Sequence, residues 1–389
     1  YSKRLPSGLT QNEHSLVLSE QRRSGRRLLD LTVSNPTQSF ADYPHASIIR
    51  ALSGINDYRY EPDPLGDRAA RLAICGYYEA RGVLLTPEQL VLTASTSEAY
   101  GYLFKLLCDP GDEVLVPIPS YPLFTYLGAL ESVNAVGYQL EYDGSWYLDF
   151  DSLRRAISTR TRAIIIVNPN NPTGTLLSSS ERDVLLSIAS EHDLAIVSDE
   201  VFADYNLTEK QFTSTSLMGS QSTLNFVLNG LSKAAGMPQM KLGWIALNGP
   251  EAERNRALER LEVIADTYLS VGTPVARALP QLFAIGSEIR AQILERIRRN
   301  LAALDDRIRH TPSHRLHLDG GWSAIVQVPG TQSEEDWVTG LIEENAVITQ
   351  PGYFFDMSRG AYLVLSLITP PETFDEGIDR LSRYVLQHS

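Results

Sequence analysis

NGLSKAAGMPQMKLGW, residues 229–244, is the stretch from which the architecture can be read. The apolar run LNFVL leads into it from Leu224 and is closed by Asn-Gly, so it reads as a short buried strand. Lys233 therefore stands just past the C-terminal end of a strand, the edge at which open α/β sheets place their ligands. Partial burial there would lower the lysine pKa and free its amine to form a Schiff base with an aldehyde. By itself the Ser232-Lys233 pair fits a solvated surface equally well, because lysine is mostly exposed. The rest of the chain decides between the two.

Outward from this stretch the pattern is regular. QLVLTAS is a strand, EAYGYLFKLL a helix, DEVLVPIP a strand, YPLFTYLGAL a short helix and NAVGYQL a strand. FDSLRRAI (helix), TRAIIIVNP (strand), ERDVLLSIASEHD (helix) and the strands LAIVSDEV, LNFVLNG and MKLGWIALN follow. Such alternation over about 150 residues predicts an α/β doubly wound, mainly parallel sheet. The near-continuous apolar strands match a sheet covered on both faces. After Pro250 the chain turns helical, with separate helices expected over EAERNRALERLEVIADTY, ARALPQLFAIG and EIRAQILERIRRNLAALDDRI. A smaller α+β domain should hold GGWSAIVQV, a helix near EEDWVTGLIEE, the strand AYLVLSLI and a terminal helix. The expected division is a large domain over 46–285 and a small one made of 1–45 plus 286–389.

Bulk properties narrow the function. The chain has 389 residues, 43% hydrophobic and 21% charged, and a formal net charge of −13. That balance argues against nucleic acid or an anionic membrane as partner. No apolar run approaches the ~20 residues of a membrane span. The first residues, YSKRLPSGLTQNEH, carry no signal-peptide core, and Cys75 and Cys108 lack CxxC spacing, so a cytoplasmic setting is expected. His310, His314 and His317 straddle Pro312-Ser313 rather than sharing a helix face, and no metal site is assigned to them.

Four further features bear on Lys233. VNPNNPTGT puts Asn171 after a strand, and SDEVFADY does the same for Asp199. TASTSEA puts Ser95, Thr96 and Ser97 at a helix N-terminus, and Lys241 follows Lys233 by eight residues. Each has a plain alternative as a turn, a solvated acidic pair or a helix cap. In their order along the chain (the Ser95-Thr96-Ser97 cap, then NPTG, then Asp199-Glu200, then Ser232-Lys233 with Lys241 eight residues on), however, they resemble the class I/II aminotransferases, the aspartate-aminotransferase-like, fold-type-I enzymes that use pyridoxal 5′-phosphate. The resemblance runs from Ser34 in SNPT to the last helix.

It implies a role for each residue. Lys233 would hold the cofactor aldehyde as a Schiff base and move the substrate proton. Asp199 would pair with the pyridine nitrogen, and Asn171 would bond the ring oxygen and border the substrate. Tyr121 would stack on the ring. Ser95, Thr96 and Ser97 would bind the phosphate, with Lys241 adding positive charge and Ser232 a possible hydroxyl. A tyrosine from a second subunit, Tyr60 or else Tyr58, would complete the phosphate site, which implies a homodimer. The implied reaction moves an amino group between an amino acid, or an amine, and a 2-oxo acid.

Two departures stand out. Where the family usually carries a tyrosine three residues after the aspartate, this chain has Phe202, and Tyr205 is the first candidate to compensate. Where most relatives carry an arginine for the substrate carboxylate, YLVLSLIT presents Val364, and no arginine lies between Ala361 and Thr369. Arg359 is the nearest replacement, and a substrate without an α-carboxylate is the alternative. Lys233 and Asp199 would also serve a C–S lyase or a decarboxylase. A non-catalytic sensor domain of this fold would need a long basic extension, whereas only about thirty residues precede the first expected strand, the alternation Leu29-Leu31-Val33 that Ser-Asn-Pro stops. A dinucleotide dehydrogenase would need a G-x-G-x-x-G, which the chain lacks.

Overall fold

The computed structural model describes residues 2, 4, 13–40, 42–54, 59–357 and 359–389. Eight strands form the main sheet: β1 (Leu90–Thr93), β2 (Glu113–Ile118), β3 (Asn134–Tyr142), β4 (Trp146–Leu148), β5 (Thr161–Val167), β6 (Ala195–Asp199), β7 (Asn225–Gly230) and β8 (Gly243–Asn248). Their order across the sheet is β1-β8-β7-β6-β5-β2-β3-β4. The β3-β2-β5-β6-β7 block is parallel, while β1, β8 and β4 run antiparallel to their neighbours. The expected α/β class is what the chain adopts.

Period-two alternation explains why the central strands read as unbroken apolar runs. Ile164, Ile166 and Ile196 pack into one core, and Ala163, Ile165 and Val197 into a second on the opposite face. With both faces covered, the middle of these strands is shut off from water, and Arg162 near the start of β5 is the exposed exception. The parallel register places Val167 beside Asp199 and Asp199 beside Leu228. The chain segments leaving β5, β6 and β7 thus emerge on one edge, and they carry Asn171, Asp199 and Lys233.

A second sheet of four strands, β9 (His314–Arg315), β10 (Ser323–Val328), β11 (Gln350–Pro351) and β12 (Ala361–Ser366), is antiparallel in the order β9-β10-β12-β11. The N-terminal segment returns to this part of the molecule, where Leu29–Asp30 pairs in parallel with Val347–Ile348. The Ser-Asn-Pro expected only to stop a strand also starts a short helix, Pro36–Ser39, because the Asn35 side chain caps it by accepting from Thr37 N at 3.1 Å. No helix among the described residues is long and apolar enough to cross a membrane.

The largest difference from expectation lies in the connecting helices. ARALPQLFAIG and EIRAQILERIRRNLAALDDRI are one 36-residue helix, Thr273–Ile308, with Pro280 inside it. The expected boundary at 285/286 falls within this helix. Gly286 looks like a terminator in the sequence but serves close packing: a Cβ there would lie 2.5 Å from the Cβ of Ala235, two residues past Lys233.

This contact sets a test. Gly→Ala inside a helix gains roughly 0.5–1 kcal/mol from backbone entropy, whereas overpacking a tight core costs roughly 1–3 kcal/mol. Overpacking wins, so Gly286→Ala is expected to lower the urea midpoint of unfolding. An unchanged or higher midpoint would show that the helix moves away freely.

Candidate active site

The strand edge opens into a cavity of about 390 Å³. Asn171, Asp199 and Lys233 line it together with Thr96, Ser97 and Tyr121, residues that come from distant parts of the sequence. Ser95 caps the helix Thr96–Leu107, accepting from Glu98 N at 3.2 Å. The first-turn N–H groups of that helix have no intrahelical partner and make an anion-binding end. Thr96 and Ser97 lie on the pocket wall at this end.

Asp199 is 8% exposed. Tyr100 Oη donates to its Oδ2 at 3.1 Å, and Val201 N donates to Oδ1 at 3.2 Å. Burial nevertheless pushes the carboxyl up to about 6, against the pull of these two donors and of Lys233. Glu200, 1% exposed, rises to about 7 through burial, although Ser216 Oγ, Leu217 N and Ser198 Oγ all donate to it. The alternative of a solvated acidic pair is therefore ruled out for Asp199 and Glu200.

Lys233 sits in a single helical turn, Leu231–Ala234. Burial drives its amine below the usual lysine value, with Asp199 opposing the shift. Its Nζ lies 5.7 Å from the Phe202 ring centroid and 5.5 Å from that of Trp322. The backbone around it is tightly held: Tyr205 Oη donates to Lys233 O at 2.7 Å, Arg290 Nη1 to Ala234 O, and Tyr43 Oη to Gly236 O at 2.9 Å. The Tyr205 hydroxyl is thus already engaged and does not replace the donor missing at Phe202.

Other expected residues lie elsewhere. Ser232 is partly buried beside Lys233 but is not part of the pocket wall. Lys241 is exposed, with a left-handed backbone (φ 50°), and is likewise off the wall. Tyr60 is 72% exposed and outside the pocket of its own chain, and Tyr58 lies outside the described residues. Val364 packs with Leu316, Ile325 and Phe355 in a small apolar cluster. Arg359 does not join the Lys233 pocket; it lines a separate cavity with Tyr142, Trp146 and Tyr362. The turn Gly352–Phe355 ends at Asp356 in a left-handed conformation (φ 61°), Phe355 O accepts from Ser120 N at 3.1 Å, and Asp356 and Met357 line that second cavity as well.

Sequence reasoning missed Tyr100, Trp322, Ser323 and Ser34, all on the pocket wall. Tyr100 had a usable signal: it follows Thr96 by four residues on one helix and so shares its face. The others meet the site only through tertiary contacts.

A buried lysine amine, a buried carboxylate and a helix N-terminus around one cavity define a site for an anionic aldehyde cofactor. A family profile described as aminotransferase class I and II matches residues 27–381. The glutamate-pyruvate aminotransferase AlaA of Escherichia coli K12 is 33% identical over 267 residues, covering 68% of this chain and 66% of that protein. Its namesake in Haemophilus influenzae is 27% identical over 96% of this chain and 94% of its own. The solved alanine aminotransferase of Pyrococcus furiosus superposes with a TM-score of 0.89 at 25% identity, covering all of both chains. The chain belongs to the class I and II aminotransferase family, whose fold-type-I members use pyridoxal 5′-phosphate. The donor set fits that group: an amine with a lowered pKa for the aldehyde, a carboxylate for the ring nitrogen, and helix N–H groups for the phosphate.

The Asp199 shift predicts how the cofactor-free protein responds to pH. A carboxyl raised from 3.8 to about 6 binds its proton more tightly in the folded chain, so its stabilising contribution is complete below 3.8 and lost as pH rises through about 6. Asp199→Asn should therefore raise the melting temperature of the cofactor-free protein at about pH 8 and change it little at about pH 4. Thermal melts at the two pH values check this, and a variant destabilised equally at both would contradict it.

Proposed function

We propose that the chain moves the amino group of an α-amino acid to a 2-oxo acid, with Lys233 as the covalent anchor and proton carrier. The observation that carries this is the shared burial of the Lys233 amine and the Asp199 carboxylate on one 390 Å³ cavity. When bound, pyridoxal phosphate supplies an aldehyde that condenses with amines and a ring that accepts an electron pair. Lys233, its amine pKa lowered by desolvation, is suited to take the proton from the substrate Cα and return it. Asp199, fixed by Tyr100 and Val201 N, would face the ring nitrogen and hold a proton there. Asn171 would donate to the ring oxygen, Tyr121 would cover one ring face, and Thr96 and Ser97 would hold the phosphate, with Ser95 keeping their helix end in place.

The relatives named glutamate-pyruvate and alanine aminotransferases support a small amino donor and a 2-oxo acid acceptor. The working unit in this proposal is a homodimer, with exposed Tyr60 reaching the partner's phosphate site. Residues 46–285 would carry the cofactor, and 1–45 with 286–389 would form the smaller unit over it. The free thiols Cys75 and Cys108 suit a cytoplasmic location.

Two measurements test the proposal. Keto acid should form from alanine or glutamate only when a 2-oxo acid acceptor is present; formation without an acceptor would mean elimination or another lyase reaction. Lys233→Ala should lower kcat by at least about 10³-fold and lose the borohydride-reducible cofactor adduct. An adduct that persists, or maps to Lys241, would remove Lys233 from its role. For the dimer, sedimentation should give twice the 43.2 kDa chain mass, and Tyr60→Phe should weaken cofactor retention; a monomer with full cofactor affinity would rule out the shared site.

A further inference from the structure

The Asp199 carboxylate has two donors among the described residues, and one of them is a side chain. Val201 N donates to Oδ1, and Tyr100 Oη donates to Oδ2 at 3.1 Å. Tyr100 is 1% exposed, and its phenol is pushed well above the usual tyrosine value, first by burial and then by the Asp199 charge. It therefore keeps its proton and stays a neutral donor. The ring stands edge-on to Phe124, with centroids 5.3 Å apart, and packs in the core with Phe104, Ile165, Val197 and Leu228. A phenol locked in this way loses little further rotamer freedom when it makes its hydrogen bond.

The helix Thr96–Leu107 brings Thr96 and Ser97 to the pocket wall at its N-terminus and Tyr100 about one turn further on. One rigid element thus meets the cavity at its anion-binding end and, through Tyr100, at Asp199. The other ionisable groups facing Asp199 are Lys233, from the turn after β7, and Glu200, the next residue in the chain. Lys233 favours the ionised carboxyl, whereas a charged Glu200 repels it. Tyr138 in β3 is the ionisable neighbour of the phenol itself.

Resting on the aminotransferase reading above, we propose that Tyr100 is a positioning residue whose hydroxyl keeps Asp199 ionised and in place, so that the carboxylate can hold a proton on the cofactor ring nitrogen. The magnitudes make this one donor decisive. A carboxyl that titrates at about 6 is mostly ionised at neutral pH. A hydrogen bond to a charged group shifts its titration by about one unit. Without the phenol, Asp199 would titrate close to neutral pH and be uncharged in about half the molecules.

The test uses wild type, Tyr100→Phe and Tyr102→Phe. Tyr102 lies on the same helix and is equally buried, but its hydroxyl meets Ser270 Oγ at 3.0 Å rather than Asp199. In cofactor-free protein the Asp199 carboxyl is titrated by carbon NMR, its signal assigned by its loss in Asp199→Asn. Tyr100→Phe should raise the midpoint by about one unit, and Tyr102→Phe should leave it in place. In holoenzyme with an isotope-labelled ring nitrogen, the nitrogen resonance should move toward its unprotonated position in Tyr100→Phe alone. At about pH 7 the kcat for alanine should fall about threefold or more in that variant, with KM within about twofold of wild type. Any of these readouts unmoved in Tyr100→Phe, or equal shifts in both variants, overturns the proposal. If Tyr100→Phe does not fold, a fluorotyrosine in place of Tyr100 decides: its more acidic phenol is the stronger donor, so the midpoint should fall, and a midpoint that stays overturns the proposal. Keto-acid production by the wild type separates the two readings. If none forms, the transaminase reading fails and the cofactor-free titration still decides the role of Tyr100; if it forms while the midpoint stays, only the role of Tyr100 fails.

Discussion

The site depends on one electrostatic conflict, a carboxylate and an amine desolvated in the same pocket. Burial lifts Asp199 and lowers Lys233, so each is pushed toward its neutral form, while their mutual attraction favours the charged forms. Desolvation prevails on both sides. Tyr100 and Val201 N hold the carboxylate without supplying a full counter-charge. The result is an amine ready to act as a nucleophile and a carboxylate still in need of a cationic partner. An aldehyde on a protonatable ring satisfies both.

That conflict persists only because the backbone around it is fixed from several directions. Asp199 ends a strand whose neighbours pair with it in register, and Lys233 occupies a single turn too short to be stable alone. Tyr205, Arg290 and Tyr43 therefore hold the carbonyls of that turn and its exit, while Gly286 lets the long Thr273–Ile308 helix approach Ala235 closely. The long helix and the N-terminal segment thus both bear on the position of the lysine. A change far from the pocket, at Gly286, acts on the same few atoms as a change within it.

This division explains what the sequence disclosed. Strand ends are legible because apolar runs have sharp limits, and Asn171, Asp199 and Lys233 each follow such a run. Thr96 and Ser97 were legible as a helix start. Trp322 was not, because its place on the wall depends on Ser366 and Leu367 at the end of a strand more than forty residues later. Arg359 was chosen only as the arginine nearest Val364 in the sequence, and it lines the second cavity together with Asp356, a residue with a left-handed backbone. Positive-φ turns at non-glycine residues leave little mark in sequence, and Lys241 is a second example.

The two departures from the family pattern fall in different places in the structure. Phe202 and Val364 each put an apolar side chain where relatives carry a polar or charged one. Phe202 packs against Trp322, and Val364 lies in its own cluster with Phe355. Phe202, on the pocket wall, makes the surroundings of Lys233 less polar, and the lysine shift has desolvation as its leading cause. An arginine placed on this wall would raise the local polarity and draw Asp199 toward itself, weakening the field that the ring nitrogen would meet. With Lys233 as the one cationic side chain among the described lining residues, the Asp199 carboxylate is not drawn toward a second cation.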